Sequence, residues 1–173
     1  MRDMKNRIAV ITGGTQGIGA SIAKHLAANG MTVVVTYAHD KSHADKTVEL
    51  IEDKGGHALA MKADVGSTEE VQSLFSEVNG NFGGLDILVN CAGIAYFKPT
   101  TIVETTDDFF DDMFNVNVKG TLRCLREAIK YLRTDGRIIN FSTSGIAAAY
   151  PGFGAYNASK AAIEIFSRTL SKN

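Results

Sequence analysis

The chain has 173 residues, of which 45% are hydrophobic and 21% are charged, and its formal net charge is −1 at pH 7. This composition is typical of a globular domain with a substantial core, and the near-zero charge offers no electrostatic basis for binding nucleic acid or an anionic membrane. No apolar run is long enough to cross a bilayer, and the first seven residues carry no signal-peptide pattern, so we expect a cytoplasmic protein. The two cysteines, Cys91 and Cys124, fit neither a disulfide framework nor a metal site, and no metal is expected.

Apolar runs of strand length alternate along the chain with stretches of helical periodicity. This alternation is typical of βαβ units, in which parallel strands form one sheet with helices on both faces. The sequence therefore predicts a single α/β domain over residues 1–173. The predicted strands cover 8–11, 31–37, 58–63, 86–90 and 137–141, and the predicted helices begin near 18, 41, 67 or 68, 106 and 155, the fourth extending to about 132.

A glycine-rich turn, TGGTQGIG at 12–19, joins the first strand to the first helix. Gly13 permits a tight turn, Gly17 lets the backbone approach a pyrophosphate, and Gly19 lets the helix lie close to the strand. The free N–H groups at the start of the helix would face the phosphates. The turn therefore predicts a Rossmann-type, doubly wound sheet that binds a dinucleotide. The candidate cofactor contacts here are Gly13, Thr15, Gln16, Gly17, Ile18 and Gly19.

The spacing Thr-Gly-x-x-x-Gly-x-Gly resembles that of the short-chain dehydrogenase/reductase family. At the end of the second strand, Tyr37 stands where a carboxylate would bind both ribose hydroxyls of NAD. The absence of that carboxylate leaves room for a 2′-phosphate, with His39, Lys41 and Ser42 as possible donors. We therefore favour NADP (NADPH) over NAD, although inward rotation of Asp40 would favour NAD.

Two further segments resemble the cofactor-binding segments of the family. Asp64 and Val65 follow the third strand, where the family places residues around the adenine, although Asp64 could equally cap a nearby turn. The segment 90–93, NCAG, resembles the family's Asn-Asn-Ala-Gly motif, with Cys91 in place of its second asparagine. The resemblance implies that Asn90 ties neighbouring strands together and adds Asn90, Ala92 and Gly93 to the candidate cofactor contacts.

Tyr156 and Lys160 are four residues apart and would share one face of the last helix. A nearby ammonium would stabilise the tyrosine phenolate and lower the phenol pKa from its ordinary value of about 10. Within Tyr-Asn-Ala-Ser-Lys, the pair resembles the catalytic signature of the same family. Together with TGGTQGIG, it looks most like the 3-oxoacyl-[acyl-carrier-protein] reductase branch.

The resemblance also implies the roles of the remaining site residues. A hydroxyl after the fifth strand would bind the substrate oxygen, and Ser142, Thr143 and Ser144 remain alternatives for it. Asn117, with Asn115 as its competitor, would disturb the long helix and hold a water that links the catalytic lysine to solvent. Tyr156 would be the general acid–base group, and Lys160 would lower its pKa and contact the cofactor.

Family members are longer than this chain. We therefore expect a domain truncated after the helix that carries Tyr156 and Lys160, without the family's last two strands and its substrate loop. The fifth strand, with Ile138, Ile139 and Phe141, would then form an exposed apolar edge. The family commonly pairs through its long and final helices, which implies a homodimer or homotetramer.

The predicted function is NAD(P)-dependent hydride transfer between the cofactor and a small-molecule carbonyl or secondary alcohol, with 3-oxoacyl thioesters as one candidate substrate class. The alternatives are a cofactor-binding regulatory or interaction protein without turnover, and an inactive truncated form. Replacing Tyr156 by Phe distinguishes catalysis from binding alone.

Overall fold

A computed structural model describes residues 4–96 and 98–172; residues 1–3, part of the N-terminal stretch considered above, lie outside it, as do 97 and 173. None of the described helices is long and apolar enough to cross a membrane. The strands are β1 (Ile8–Thr12), β2 (Thr32–Tyr37), β3 (His57–Lys62), β4 (Leu85–Asn90) and β5 (Leu132–Asn140). The helices are α1 (Gly17–Ala28), α2 (Lys41–Glu52), α3 (Thr68–Phe82), α4 (Asp107–Phe114), α5 (Thr121–Tyr131), α6 (Gly145–Ala148) and α7 (Gly154–Leu170), with a π-helical segment (Asn115–Gly120) between α4 and α5.

The five strands pair in parallel in the order β3-β2-β1-β4-β5, which confirms the predicted doubly wound sheet. The chain first moves outward from β1 to β3 and then crosses over to β4 on the other side of β1. In such sheets, ligands bind at the carboxyl ends of the strands where the winding direction reverses. The topology therefore directs attention to the ends of β1 and β4.

Successive residues of β1 serve opposite faces of the sheet, because side chains alternate along a strand. Ile8 and Val10 belong to one buried cluster, whereas Ala9 and Ile11 belong to the other. The first cluster also holds the apolar face of α3, formed by Val71, Leu74, Phe75 and Val78.

The long helix predicted over 106–132 is interrupted. The π-helical segment Asn115–Gly120 separates α4 from α5, and the helix ends at Tyr131. A π turn is rare and is found mostly as a single widened turn inside an α-helix, frequently at functional sites. Hydrophobic periodicity does not reveal such an interruption, because the segment remains helical.

The predicted start of the fifth strand at Arg137 is wrong, because β5 begins at Leu132. Gly136 lies within the strand, next to Asp135 with a φ of +66°, and the register with β4 shifts between Leu85 and Ile87. The glycine therefore marks an irregularity inside a strand and not its beginning.

β5 forms one edge of the sheet described by residues 4–96 and 98–172. Ile139 is 45% exposed there, as predicted, whereas Ile138 and Phe141 pack against the two core clusters and are half-buried. The predicted apolar edge is thus exposed at Ile139 and partly covered at its two neighbours.

Candidate active site

A cavity of about 740 Å³ opens at the carboxyl ends of β1, β2, β3 and β4. The strand order predicts a dinucleotide site at this position. Most of the predicted cofactor contacts line it. They are Gly13, Thr15, Gln16, Gly17, Ile18, Gly19, Tyr37, His39, Asp64, Val65, Ala92 and Gly93.

The glycines of the turn differ in what surrounds them. A Cβ on Gly13 would lie 2.9 Å from the Cα of Ala92, and one on Gly19 would collide with the carbonyl oxygen of Gly13. At Gly17, with a φ of +53°, no atom lies within 4 Å of a Cβ position. Gly13 and Gly19 are therefore required for packing within the turn, whereas Gly17 leaves an open backbone face toward the cavity.

Thr12 joins the ends of β1 and β4. Its hydroxyl oxygen accepts hydrogen bonds from the backbone N–H groups of Cys91 and Ala92, each at 3.1 Å. Sequence reasoning did not assign Thr12 a role, although it directly precedes the first glycine. The two bonds fix the segment 91–93 against the glycine turn.

The carboxylate nearest the end of β2 is that of Asp40, which lines the cavity. The Asp40 carboxylate caps α2, accepting from the backbone N–H groups of Ser42 and His43 and from the Ser42 hydroxyl. These bonds, the Ser42 hydroxyl foremost, lower the pKa of Asp40. His43 Nδ1 lies 2.8 Å from the same carboxylate. Lys41 pairs with Asp45 at 2.6 Å.

The donors proposed for a 2′-phosphate therefore need correction. The side chains of Lys41 and Ser42 are engaged within α2, and neither residue is part of the cavity wall. His39 does line the cavity, and so does His43, which sequence reasoning missed. Because α2 begins directly after Asp40, its first turn places His43 back toward the end of β2.

Asp64 combines the two roles that the sequence left open. Its carboxylate accepts from the backbone N–H of Gly66 at 2.8 Å, so it closes a turn, and its own N–H donates to Glu70 at 3.0 Å. At the same time Asp64 and Val65 form part of the cavity wall.

Asn90 lies outside the cavity lining and connects strands. Its amide nitrogen donates to Asn140 at 2.8 Å, and the Asn140 amide donates in turn to Ser167 at 2.8 Å. This series of hydrogen bonds joins β4 and β5, as the resemblance implied, and continues to α7. The geometry gives Asn90 a structural role, and its proposed contact with the cofactor stays a prediction.

Asn117 is fully buried in the π-helical segment. Its amide oxygen accepts from the N–H of Ile94 at 2.8 Å, and its amide nitrogen donates to the Ile94 carbonyl at 3.0 Å and to the Ser159 hydroxyl at 3.1 Å. The Ser159 hydroxyl donates to the Tyr156 carbonyl at 2.7 Å. Asn117 therefore connects the loop after β4 to the helix that carries Tyr156. The predicted disturbance of the helix at this asparagine is present.

Asn115, the competitor of Asn117, faces another part of the molecule. Its backbone carbonyl and its side-chain oxygen both accept hydrogen bonds from Arg123 of α5.

Tyr156 and Lys160 lie together on α7, with the lysine Nζ 5.8 Å from the centre of the tyrosine ring. Lys160 is buried, and its Nζ donates to the Phe141 carbonyl at 3.2 Å. Burial lowers the pKa of Lys160, an effect opposed by any negative charge on Cys91. Burial also raises the pKa of the Cys91 thiol, whereas the nearby Lys160 lowers it. The effect of burial is the larger one, so the neutral thiol is favoured. A Cβ on Gly93 would lie 3.7 Å from the Lys160 Nζ, so the lysine reaches the edge of the cavity.

The three candidate hydroxyls after β5 have different surroundings. The Ser142 hydroxyl donates to Glu164 at 2.6 Å, and Ser144 is exposed. The Thr143 hydroxyl oxygen accepts from the N–H of Gly145 at 3.1 Å, and Thr143 is half-buried. A Cβ on Gly145 would meet both the Thr143 hydroxyl, at 3.3 Å, and the side chain of Asn157, so Thr143 lies near the first turn of α7.

Comparison with known proteins agrees with this geometry. Residues 7–173 match the family model described as short chain dehydrogenase. A short-chain type dehydrogenase/reductase of Picea abies is 40% identical over 96% of this chain and 64% of its own length. The chain belongs to the short-chain dehydrogenase family.

Other members of the family are comparably similar. A hydroxynaphthalene reductase of Aspergillus fumigatus is 38% identical over 97% of this chain and 61% of its own length. A short-chain dehydrogenase of Burkholderia cenocepacia, solved in complex with NADP, superposes with a TM-score of 0.92 at 36% identity, covering 99% of this chain and 69% of that structure. The chain thus spans less than two thirds of the length of the Picea abies and Aspergillus fumigatus relatives. The predicted family and its Rossmann-type fold are confirmed.

The buried lysine of this dehydrogenase fold predicts a pH-dependent stability. Because the pKa of Lys160 in the folded chain lies below its ordinary value of 10.5, the unfolded chain binds more protons between the two pKa values. Stability due to this group therefore rises with pH across that window. We expect the free energy of unfolding of wild type, measured by urea denaturation, to increase relative to that of Lys160→Met from pH 7 to pH 10.

Lys46→Met, on the exposed part of α2, controls for the loss of a lysine side chain. A difference between wild type and Lys160→Met that stays constant over this pH range would contradict the lowered pKa.

Proposed function

We propose that the protein is an NADP(H)-dependent oxidoreductase that interconverts a carbonyl group and a secondary alcohol. The observation that carries this proposal is the Tyr156/Lys160 pair of α7: neither residue is in the cavity lining, but the Lys160 Nζ, bonded to the Phe141 carbonyl, lies 3.7 Å from a Cβ position on Gly93 in the cavity wall. Membership of the short-chain dehydrogenase family supports it. The chain's activity, substrate and partners are part of the proposal.

The cavity fits a dinucleotide. Its volume of about 740 Å³ is within the range of ligand and cofactor pockets, and the open backbone at Gly17 allows close approach by a phosphate group. The N-terminus of α1 directly follows this glycine turn, which favours negative charge there. When bound, the nicotinamide cofactor supplies or accepts the hydride.

Several features favour NADP over NAD. Asp40 lines the cavity, but its carboxylate accepts three hydrogen bonds at the start of α2 and lies 2.8 Å from His43 Nδ1, whereas His39 lines the cavity as a potential donor to a phosphate. The Burkholderia cenocepacia relative was solved with NADP, and a relative from Arabidopsis thaliana, 38% identical, is named an NADPH-dependent aldehyde reductase-like protein.

The catalytic roles follow from the positions of the side chains. In the reduction, hydride adds to the carbonyl carbon while Tyr156 donates a proton to the carbonyl oxygen, and oxidation of the alcohol is the reverse. Lys160, a buried cation beside the phenol, stabilises the phenolate that remains. Among the hydroxyls we assign substrate-oxygen binding to Thr143, because Ser142 is engaged with Glu164 and Ser144 is exposed. Asn117 holds the helix of Tyr156 against the cavity loop and is proposed to keep the relay water.

An aromatic or polycyclic ketone is the substrate class that we propose. The loop 98–105 is joined to the segment before α7 by a bond from the Thr100 N–H to the Gly152 carbonyl at 2.9 Å. Relatives include the hydroxynaphthalene reductase and a versicolorin reductase of Aspergillus parasiticus, 38% identical. Large apolar side chains are exposed on these two segments and on the loop after β4, namely Tyr96, Ile102, Val103 and Tyr150.

The narrower expectations of the sequence remain predictions. Reduction of 3-oxoacyl thioesters is one of them, since the relatives described above are reductases of other carbonyl compounds. Assembly into a homodimer or homotetramer is another, for which the exposed Leu122 and Ile129 of α5 are suitable contacts. The third is a cytoplasmic location.

Replacing Tyr156 by Phe separates catalysis from cofactor binding. We expect turnover to fall by about a hundredfold or more, because the proton donor is lost, while the affinity for NADPH stays within about twofold of wild type. NADPH oxidation with α-tetralone as the probe ketone measures the first, and NADPH fluorescence titration the second. Tyr131→Phe, at the end of α5, is the matched control. Retention of full turnover by Tyr156→Phe would refute the proposed mechanism.

Gly17 and Gly55 form a matched pair for testing the cofactor site. Both have positive φ, +53° and +76°, and neither has an atom within 4 Å of a Cβ position. Replacement by Ala should therefore destabilise the fold to a similar extent, about 1 kcal/mol. We expect only Gly17→Ala to weaken NADPH binding, by about tenfold or more, because its methyl group would face the phosphates. Equal NADPH affinity in the two variants would place the cofactor elsewhere.

A further inference from the structure

Arg123 of α5 connects three separate parts of the chain. Its Nε donates to the Thr68 hydroxyl at 3.1 Å, and one terminal nitrogen donates to the Val65 carbonyl at 3.1 Å and to the Asn115 carbonyl at 3.2 Å. The other terminal nitrogen donates to the Asn115 side-chain oxygen at 3.1 Å. Only a planar guanidinium, with five N–H donors in fixed directions, can bind this set of acceptors at once.

The acceptors of Arg123 belong to walls of the cofactor cavity. Val65 lines the cavity, and Thr68 is the first residue of α3, directly after that wall. Asn115 begins the π-helical segment, whose next residue, Val116, lines the cavity as well. Arg123 itself is half-buried and lies outside the lining.

The π-helical segment lies in direct contact with the loop after β3. A Cβ on Gly120 would be 2.8 Å from a methyl carbon of Val65, and a Cβ on Gly66 would be 3.1 Å from the Asn115 amide nitrogen. With no room for an intervening side chain, a displacement of one segment must move the other.

Asn117, two residues beyond Asn115, extends the connection. It binds the backbone of Ile94 in the loop after β4 and the Ser159 hydroxyl in α7. A continuous series of contacts therefore runs from Val65 through Arg123 and Asn115 to Asn117, and from there to Ile94 and α7.

We propose that Arg123 is a positioning residue that fixes the position of the Asn117 side chain relative to the loop after β3. Cofactor binding at the wall formed by that loop and the placement of Tyr156 by Asn117 then both depend on the Arg123 guanidinium. The proposal rests on the proposed function for its catalytic part. Its structural part, the link from Arg123 to Ile94, does not require the cofactor.

The test compares Arg123→Met, which removes all donors, and Arg123→Lys, which keeps the charge without the planar fork. Arg126→Gln is the control, since Arg126 is an exposed arginine on the same helix that pairs with Glu127. Three quantities are measured on the full chain. They are the Kd for NADPH, turnover of α-tetralone at saturating NADPH, and the amide hydrogen-exchange rate of Ile94, a readout remote from Arg123.

We expect Arg123→Met to weaken NADPH binding and to lower turnover at saturating NADPH, each by about tenfold, and to accelerate Ile94 exchange by a similar factor. Arg123→Lys should lie between Arg123→Met and wild type, and Arg126→Gln should match wild type. Gly120→Ala, which forces Val65 and the π-helical segment apart, should also accelerate Ile94 exchange, because it separates the acceptors of an unaltered Arg123 side chain.

Unchanged Ile94 exchange in Arg123→Met would overturn the proposal. So would an effect on NADPH affinity with no effect on turnover, because Arg123 would then support one wall only. If wild type binds neither NADPH nor NADH, the proposed function fails, and the exchange measurement still decides whether Arg123 and Ile94 are connected.

Discussion

The structure of the site depends on one buried carboxamide. Asn117 has no solvent exposure. Burying its amide group without hydrogen-bond partners would cost roughly several kcal/mol of folding free energy. It is satisfied only because Ile94 presents both its N–H and its carbonyl and because Ser159 presents its hydroxyl. These partners belong to the loop after β4 and to α7, so the requirement for pairing fixes both against the π-helical segment.

The widened helical turn is what brings this amide to its partners. A regular helix from Asp107 to Tyr131 would continue the 3.6-residue repeat through Asn117, whereas the π-helical segment adds a residue to the turn and alters the direction of its side chains. Close packing supports the distortion, since the Gly120 backbone lies against Val65. The same segment therefore shapes the cavity wall and anchors the helix that carries Tyr156 and Lys160.

Much of the fold could be predicted because it depends on local chemistry. The β-branched run that forms β2 and the glycine turn each carry their own pattern, and each is found where the sequence predicted it. The start of β5 could not be predicted, because Gly136 is equally suited to a turn and to a strand irregularity. The role of Asp40 as the N-cap of α2 is consistent with the known preference for Asp at this position.

The site was harder to predict because its contacts join residues far apart in the sequence. The Thr12 bonds to Cys91 and Ala92 and the four bonds of Arg123 have no sequence pattern. The pair Tyr156 and Lys160, in contrast, lies on one helix turn, and its spacing together with the family resemblance predicted it.

Amide hydrogen exchange at Ile94, in the presence and absence of NADPH, tests the central claim most directly. Ile94 follows a strand and lies in a loop, where an unbonded amide would exchange rapidly. If Asn117 holds it as described, its exchange is slow, comparable to the amides of β4, and becomes slower still when NADPH occupies the cavity that Ile94 lines. Rapid exchange at Ile94 that NADPH does not alter would contradict both the Asn117 anchor and the location of the cofactor.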